Sequence, residues 1–86
     1  MNPIEVLLKK FDFRKENGTC FVPDCNSDAT HKVIINEENL RLKTKKELAE
    51  IKLCEEHTPL IKNVTKELNE EFAGNFIVFR FEMKPI

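Results

Sequence analysis

Tryptophan and tyrosine are absent from this 86-residue chain, and glycine occurs only twice. So few glycines leave no Gly-rich loop to cradle phosphates, which excludes the usual nucleotide-binding chemistry. A long apolar run is missing too. The longest, Phe76 to Phe79, is a strand's length and far short of the roughly 20 residues that a membrane-spanning helix needs. There is no excess of one charge: 14 Lys and Arg stand against 15 Asp and Glu, a formal net charge of −1. No general basic footprint therefore marks a nucleic-acid or anionic-membrane binder, and a membrane partner is not expected. The first residues, Met1 to Leu8, carry an acid at Glu5, too short an apolar core and no small-residue cleavage site, so they do not read as a signal peptide. Without such a signal, Asn17-Gly18-Thr19 and Asn63-Val64-Thr65 match the glycosylation sequon only formally. Three cysteines are an odd number, which argues against a disulfide framework and for reduced thiols in a cytoplasmic protein.

What is present is ordinary globular composition. At 41% hydrophobic and 34% charged the chain is too apolar for disorder, and its length suits one domain, residues 1–86. The expected fold class is α+β: a small domain with a β-hairpin, two amphipathic helices and a C-terminal strand.

Asn2, Pro3 and Glu5 form a helix-start signature: Asn accepts a backbone N–H, Pro fits the first helical position, and Glu closes a capping box. Ile4, Leu7, Leu8 and Phe11 follow at helical spacing as one apolar face, and Asn17-Gly18 supplies the stop. An alternative makes Phe11 to Phe13 a strand with Asn17-Gly18 as its hairpin turn. Thr30 to Ile35 reads as a strand, Asn36 to Asn39 as a turn, and Leu40 to Thr44 as the returning strand. Thr44 to Glu47 then suggests a short helical turn before an extended Ile51 to Cys54. Thr58-Pro59 opens the strongest helix, with a capping hydroxyl and Leu60, Ile61, Val64, Leu68 and Phe72 at helical spacing. Gly74 ends it, and Asn75 leads into a strand in which Ile77, Phe79, Phe81 and Met83 share a face that the helices must cover.

The chemistry lies in two pairs. Cys20 and Cys25 enclose four residues, Cys54 and His57 enclose two, and 28 residues separate the pairs. A tetrahedral Zn²⁺ takes four ligands, short loops make paired ligands converge, and a longer loop brings the pairs together. Pro23-Asp24 suits the tight turn that directs both sulfurs inward, and the dipole of the Pro59 helix favours thiolate beside its start. The expected site is one structural Zn²⁺ held by Cys20, Cys25, Cys54 and His57. His31, six residues past Cys25, is the reserve ligand. Three buried thiols with an incidental His are the plainer alternative, since free Cys is often buried. A redox pair is disfavoured because C-x₄-C lacks the C-x₂-C spacing of thiol oxidoreductases.

Cys20-x₄-Cys25, a hairpin, then Cys54-x₂-His57 running into a helix resembles the treble-clef and zinc-ribbon-like zinc fingers over Thr19 to Phe72. It departs from them in lacking their commoner C-x₂-C knuckle. The resemblance implies a zinc-finger-like core at 19–72 and transfers no function.

Catalysis is not expected. Four protein ligands leave no open metal position, and neither H-E-x-x-H nor H-x-E with P-C-x-x-C occurs around Glu55 and Glu56. The expected function is a non-catalytic interaction module that binds protein. The alternative is a nucleic-acid-binding accessory factor using Arg41, Lys43, Lys45 and Lys46 as phosphate contacts, although Glu37, Glu38, Glu47 and Glu50 interleave with them. Lys9, Lys10, Arg14 and Lys15 form a second basic group. The strand Phe76 to Met83, as a sheet edge, is expected to pair two copies into a homodimer, unless it is a central strand already paired on both sides.

Overall fold

The computed structural model describes residues 2–15, 18–74 and 76–86. Helix α1 (Pro3–Lys10) leads through an irregular stretch to β1 (His31–Asn39) and β2 (Thr44–Leu53); a 3₁₀ turn (Glu55–His57), α2 (Leu60–Glu71) and β3 (Ile77–Pro85) follow. The strands form one antiparallel sheet in the order β2-β1-β3, so β1 is central. This is an α+β arrangement.

The capping box at the start of α1 forms as expected. Asn2 Oδ1 accepts the Glu5 N–H at 2.9 Å, and Glu5 Oε2 accepts the Asn2 N–H at 3.2 Å. The helix stops well before Asn17-Gly18, of which Asn17 lies outside the described residues. Its end is set by Asp12, whose Oδ1 accepts the Arg14 N–H at 2.9 Å and so offers the backbone a turn in place of another helical bond. The same bond, ahead of the opposing effect of burial, holds the Asp12 carboxyl below its ordinary pKa. Phe11 to Phe13 is not a strand either. The buried face is Val6, Leu7 and Phe11, while Ile4 and Leu8 face solvent. In so short a helix the docking against α2, marked by a Lys10–Glu67 ion pair at 2.8 Å, decides which stripe is covered.

The hairpin turns four residues later than the sequence suggests. Asn36 to Asn39 belong to β1, Leu40 to Lys43 make the turn, and Thr44 to Glu47 are strand instead of a helical turn. Two causes are visible. Asn39 Oδ1 accepts the N–H groups of Arg41 and Leu42 at 3.0 and 2.9 Å, which fixes the turn after it. Asn36 to Asn39 also pair on both sides, with Thr44–Glu47 and with Ile77–Arg80, and that double ladder outweighs local turn preference. The acids in this run meet cross-strand partners: Glu37 faces Lys46 at 3.8 Å and Glu38 faces Arg80 at 2.7 Å. A register shift at Ile35/Asn36 leaves Leu48 as the extra residue of a bulge.

Val33, Ile35, Ile51, Leu53 and Phe79 line the covered face of the sheet, and Leu7, Phe11, Ile61, Val64 and Leu68 pack on it. In α2, Leu60 falls at the rim of this stripe, and Thr58 does not cap the helix; its hydroxyl donates to the Glu55 carbonyl at 2.9 Å.

Strand β3 is a sheet edge, not a central strand. Its Phe79 backbone is nevertheless occupied: the Phe79 N–H donates to Asn69 Oδ1 at 2.7 Å, and Asn69 Nδ2 donates to the Phe79 carbonyl at 3.1 Å. The Asn69 amide thus stands where a neighbouring strand would sit, a device that blunts open edges. Pairing of two copies along the whole of β3 would have to displace it. Replacing Asn69 with Leu removes both bonds, and we expect a loss of about 1–3 kcal/mol, the cost of stranding partly buried backbone groups. Urea denaturation measures that loss, and sedimentation velocity should show the variant associating more readily than the parent. Unchanged stability together with unchanged mass would contradict the assignment.

Candidate metal centre

The first pair of thiols sits on a knuckle built by backbone hydrogen bonds. The Cys25 N–H donates to the Val22 carbonyl at 3.1 Å, and Asp24 has φ 67° behind Pro23, the pattern of a type II turn. The expected tight turn at Pro23-Asp24 is therefore present. The Cys20 N–H donates to the Ser27 carbonyl at 3.0 Å, and the Phe21 N–H donates to the Lys52 carbonyl at 2.8 Å, which fastens the knuckle to the edge of β2. Phe21 packs edge-on against Phe13 with ring centroids 5.6 Å apart. Lys15 Nζ donates to the Cys25 carbonyl at 2.6 Å, a cation on the knuckle backbone that no spacing rule points to.

The second pair lies where β2 runs out. Cys54 is extended (φ −76°, ψ 164°) and precedes the 3₁₀ turn, and the His57 N–H closes back on the Cys54 carbonyl at 3.1 Å. A 3₁₀ turn has three residues per turn, so positions i and i+3 fall on one side. That is why a two-residue spacer brings the Cys54 sulfur and the His57 ring together, and why Glu55 and Glu56 between them face solvent.

The two pairs converge. Cys54 Sγ is 3.1 Å and Cys20 Sγ 3.6 Å from His57 Nδ1, Cys25 Sγ is 3.9 Å from Cys54 Sγ, and all four donor atoms lie within 4.8 Å of one another. Ligand arms of 2.0–2.3 Å give a tetrahedron with edges of roughly 3.3–3.8 Å. The cluster is compatible with a Cys₃His zinc site on that measure, and all three cysteines are free thiols. Cys20 and Cys54 are buried, while Cys25 and His57 are half-buried.

The electrostatics differ among the thiols. Backbone hydrogen bonding from Ser27 draws the Cys25 thiol down to about 7 against the opposing effect of burial. Burial pushes the Cys20 thiol up, in part offset by backbone hydrogen bonds from Cys54 and Val22. The stabilising donors are thus peptide N–H groups of the knuckle and of the end of β2. The expected contribution of the helix start is displaced: α2 begins only at Leu60, and the N–H groups of Ile61 and Lys62 donate to the carbonyls of Thr58 and Pro59.

His31 stands outside the cluster, at the start of β1, with Nδ1 2.8 Å from the Thr30 hydroxyl. The four basic residues around the hairpin differ in their ion pairing. Arg41 and Lys43 lie in the turn, whereas Lys45 pairs with Glu82 at 3.4 Å and Lys46 with Glu37 at 3.8 Å. The second basic group is engaged at Lys10, Arg14 and Lys15 by Glu67, Asp12 and the Cys25 carbonyl. Among the described residues no helix is long and apolar enough to cross a membrane. Neither a protein-family model, nor a curated protein, nor a solved structure matches the chain.

Proposed function

We propose that this chain is a zinc-stabilised, non-catalytic interaction module that holds one Zn²⁺ through Cys20, Cys25, Cys54 and His57 and presents its surface to a protein partner. The observation that carries the metal reading is the gathering of four donor atoms within 4.8 Å from two segments that are remote in sequence. A metal held there ties the knuckle, the end of the hairpin and the approach to α2 together, and so supplements the core of a small domain. Four protein ligands fill a tetrahedron and leave no position for a substrate or an activated water, which is the basis for reading the site as structural. The order of knuckle, hairpin, turn and helix supports the finer likeness to treble-clef and zinc-ribbon-like fingers. The nucleic-acid reading is the second one, and it rests on Arg41 and Lys43, because Lys45 and Lys46 are already paired with acids.

Metal analysis of protein purified without added zinc tests the reading, with an expected content of about one zinc per chain. His31→Ala is expected to keep both the metal and the fold, since its ring bonds only to Thr30 among the described residues. A fully folded protein without metal would overturn the assignment.

A further inference from the structure

At the end of the hairpin remote from Cys54, three large apolar side chains project into solvent. Leu40 and Leu42 in the turn are 53% and 68% exposed, and Phe76, just before β3, is 61% exposed. The Leu40 N–H donates to the Phe76 carbonyl at 2.8 Å, so the turn and the entry to β3 form one tip. Two residues of the tip hold left-handed backbone, Lys43 at φ 56° and Phe76 at φ 57°. For a bulky aromatic that conformation is unfavourable, and such strain gathers where function requires it. Here it accompanies a phenyl ring that adds little to the core.

The tip also carries two cations that have no ion-pair partner among the described residues. Lys45, Lys46 and Arg80 behind it are paired with Glu82, Glu37 and Glu38, whereas no described carboxylate lies within 4.0 Å of Arg41 or Lys43. The whole-chain balance of −1 hides this separation. Leu40 is the one apolar residue bordering the depression beside the tip, and Lys43, Lys45, Arg80 and Glu38 are its charged ones, so it offers no apolar groove. A standard protein interface takes about 800 Å² from each partner, and two Leu and one Phe fall well short of that. A lipid surface sets no such minimum: it admits small apolar projections at the headgroup boundary while Arg and Lys reach its phosphates.

We propose that this tip docks on an anionic lipid surface, with Leu40, Leu42 and Phe76 entering the headgroup boundary and Arg41 and Lys43 against lipid phosphates. The proposal goes beyond the protein-binding reading and does not depend on the metal. Flotation of the full chain with vesicles of phosphatidylcholine, alone or mixed with phosphatidylglycerol, tests it. Binding is expected to the mixed vesicles and to weaken as salt rises. Neutralising both cations, Arg41→Gln with Lys43→Gln, should lower it about thirtyfold. Phe76→Asn should lower it about tenfold while the melting temperature holds or rises, because Asn tolerates positive φ better than Phe. Leu42→Gln, in an exposed turn, gives a second readout that the fold does not influence. Absence of flotation with the mixed vesicles overturns the proposal, as does parental flotation of both the Phe76→Asn and Leu42→Gln variants. Tip-dependent binding to duplex DNA without flotation overturns it in favour of the nucleic-acid reading.

Discussion

Cys54→Ser should leave the chain largely unfolded at room temperature. Cys54 Sγ lies 3.1 Å from His57 Nδ1 and 3.9 Å from Cys25 Sγ, and Cys54 follows directly on β2. Structural zinc contributes about 10–16 kcal/mol in small zinc-finger peptides, whereas an entire domain is stable by only about 5–15 kcal/mol. On the proposed zinc reading, losing one thiolate of three, with the buried Cys20 left facing a vacated corner, removes a large share of that contribution. A chelator should act on the parent protein in the same way. Far-UV circular dichroism read beside metal content checks both, and a Cys54→Ser variant that keeps its zinc and its melting temperature would reject the four-ligand site.

The second large effect belongs to the core. Phe79→Ala should cost about 3–5 kcal/mol, the range for deleting a buried aromatic ring. Phe79 is 2% exposed on the covered face of β3, its ring centroid lies 5.8 Å from that of Phe72, and its backbone is clamped by Asn69. Met83 lies further along the same face but is 41% exposed, so Met83→Ala should cost about 1 kcal/mol or less and serves as the control. Urea denaturation of the zinc-loaded proteins separates the two. Because Phe79 lies outside the Cys₃His cluster, the Ala variant should match the metal content of the parent under native conditions, which distinguishes a packing defect from a lost ligand. Equal costs at Phe79 and Met83 would mean that β3 does not pack as described.

Several features of this protein are determined within a few residues of sequence, and these were legible without the structure. Asn2, Pro3 and Glu5 make their capping box, because both of its hydrogen bonds span only three residues. The 3.6-residue period of Ile61, Val64 and Leu68 yields a buried helix face, and the alternation of Ile77, Phe79, Phe81 and Met83 yields one face of a strand. The C-x₄-C and C-x₂-H spacings bring ligands together in pairs through a type II turn and a 3₁₀ turn, both local devices.

Tertiary structure decided the rest. The position of the hairpin turn depends on β1 finding partners on both sides, one of them β3 at the far end of the chain, and no local signal at Asn36 to Asn39 contains that information. The docking of α1 on α2 left Ile4 and Leu8 outside, although their spacing alone would have buried them. The approach of Cys20 and Cys25 to Cys54 and His57, the Asn69 clamp on Phe79 and the meeting of Leu40 with Phe76 are all contacts between remote segments. Caps, turns and periodic faces draw their free energy from neighbours in sequence. Register, edges and ligand convergence draw theirs from chain segments that meet only after folding has met the entropy cost of closing long loops.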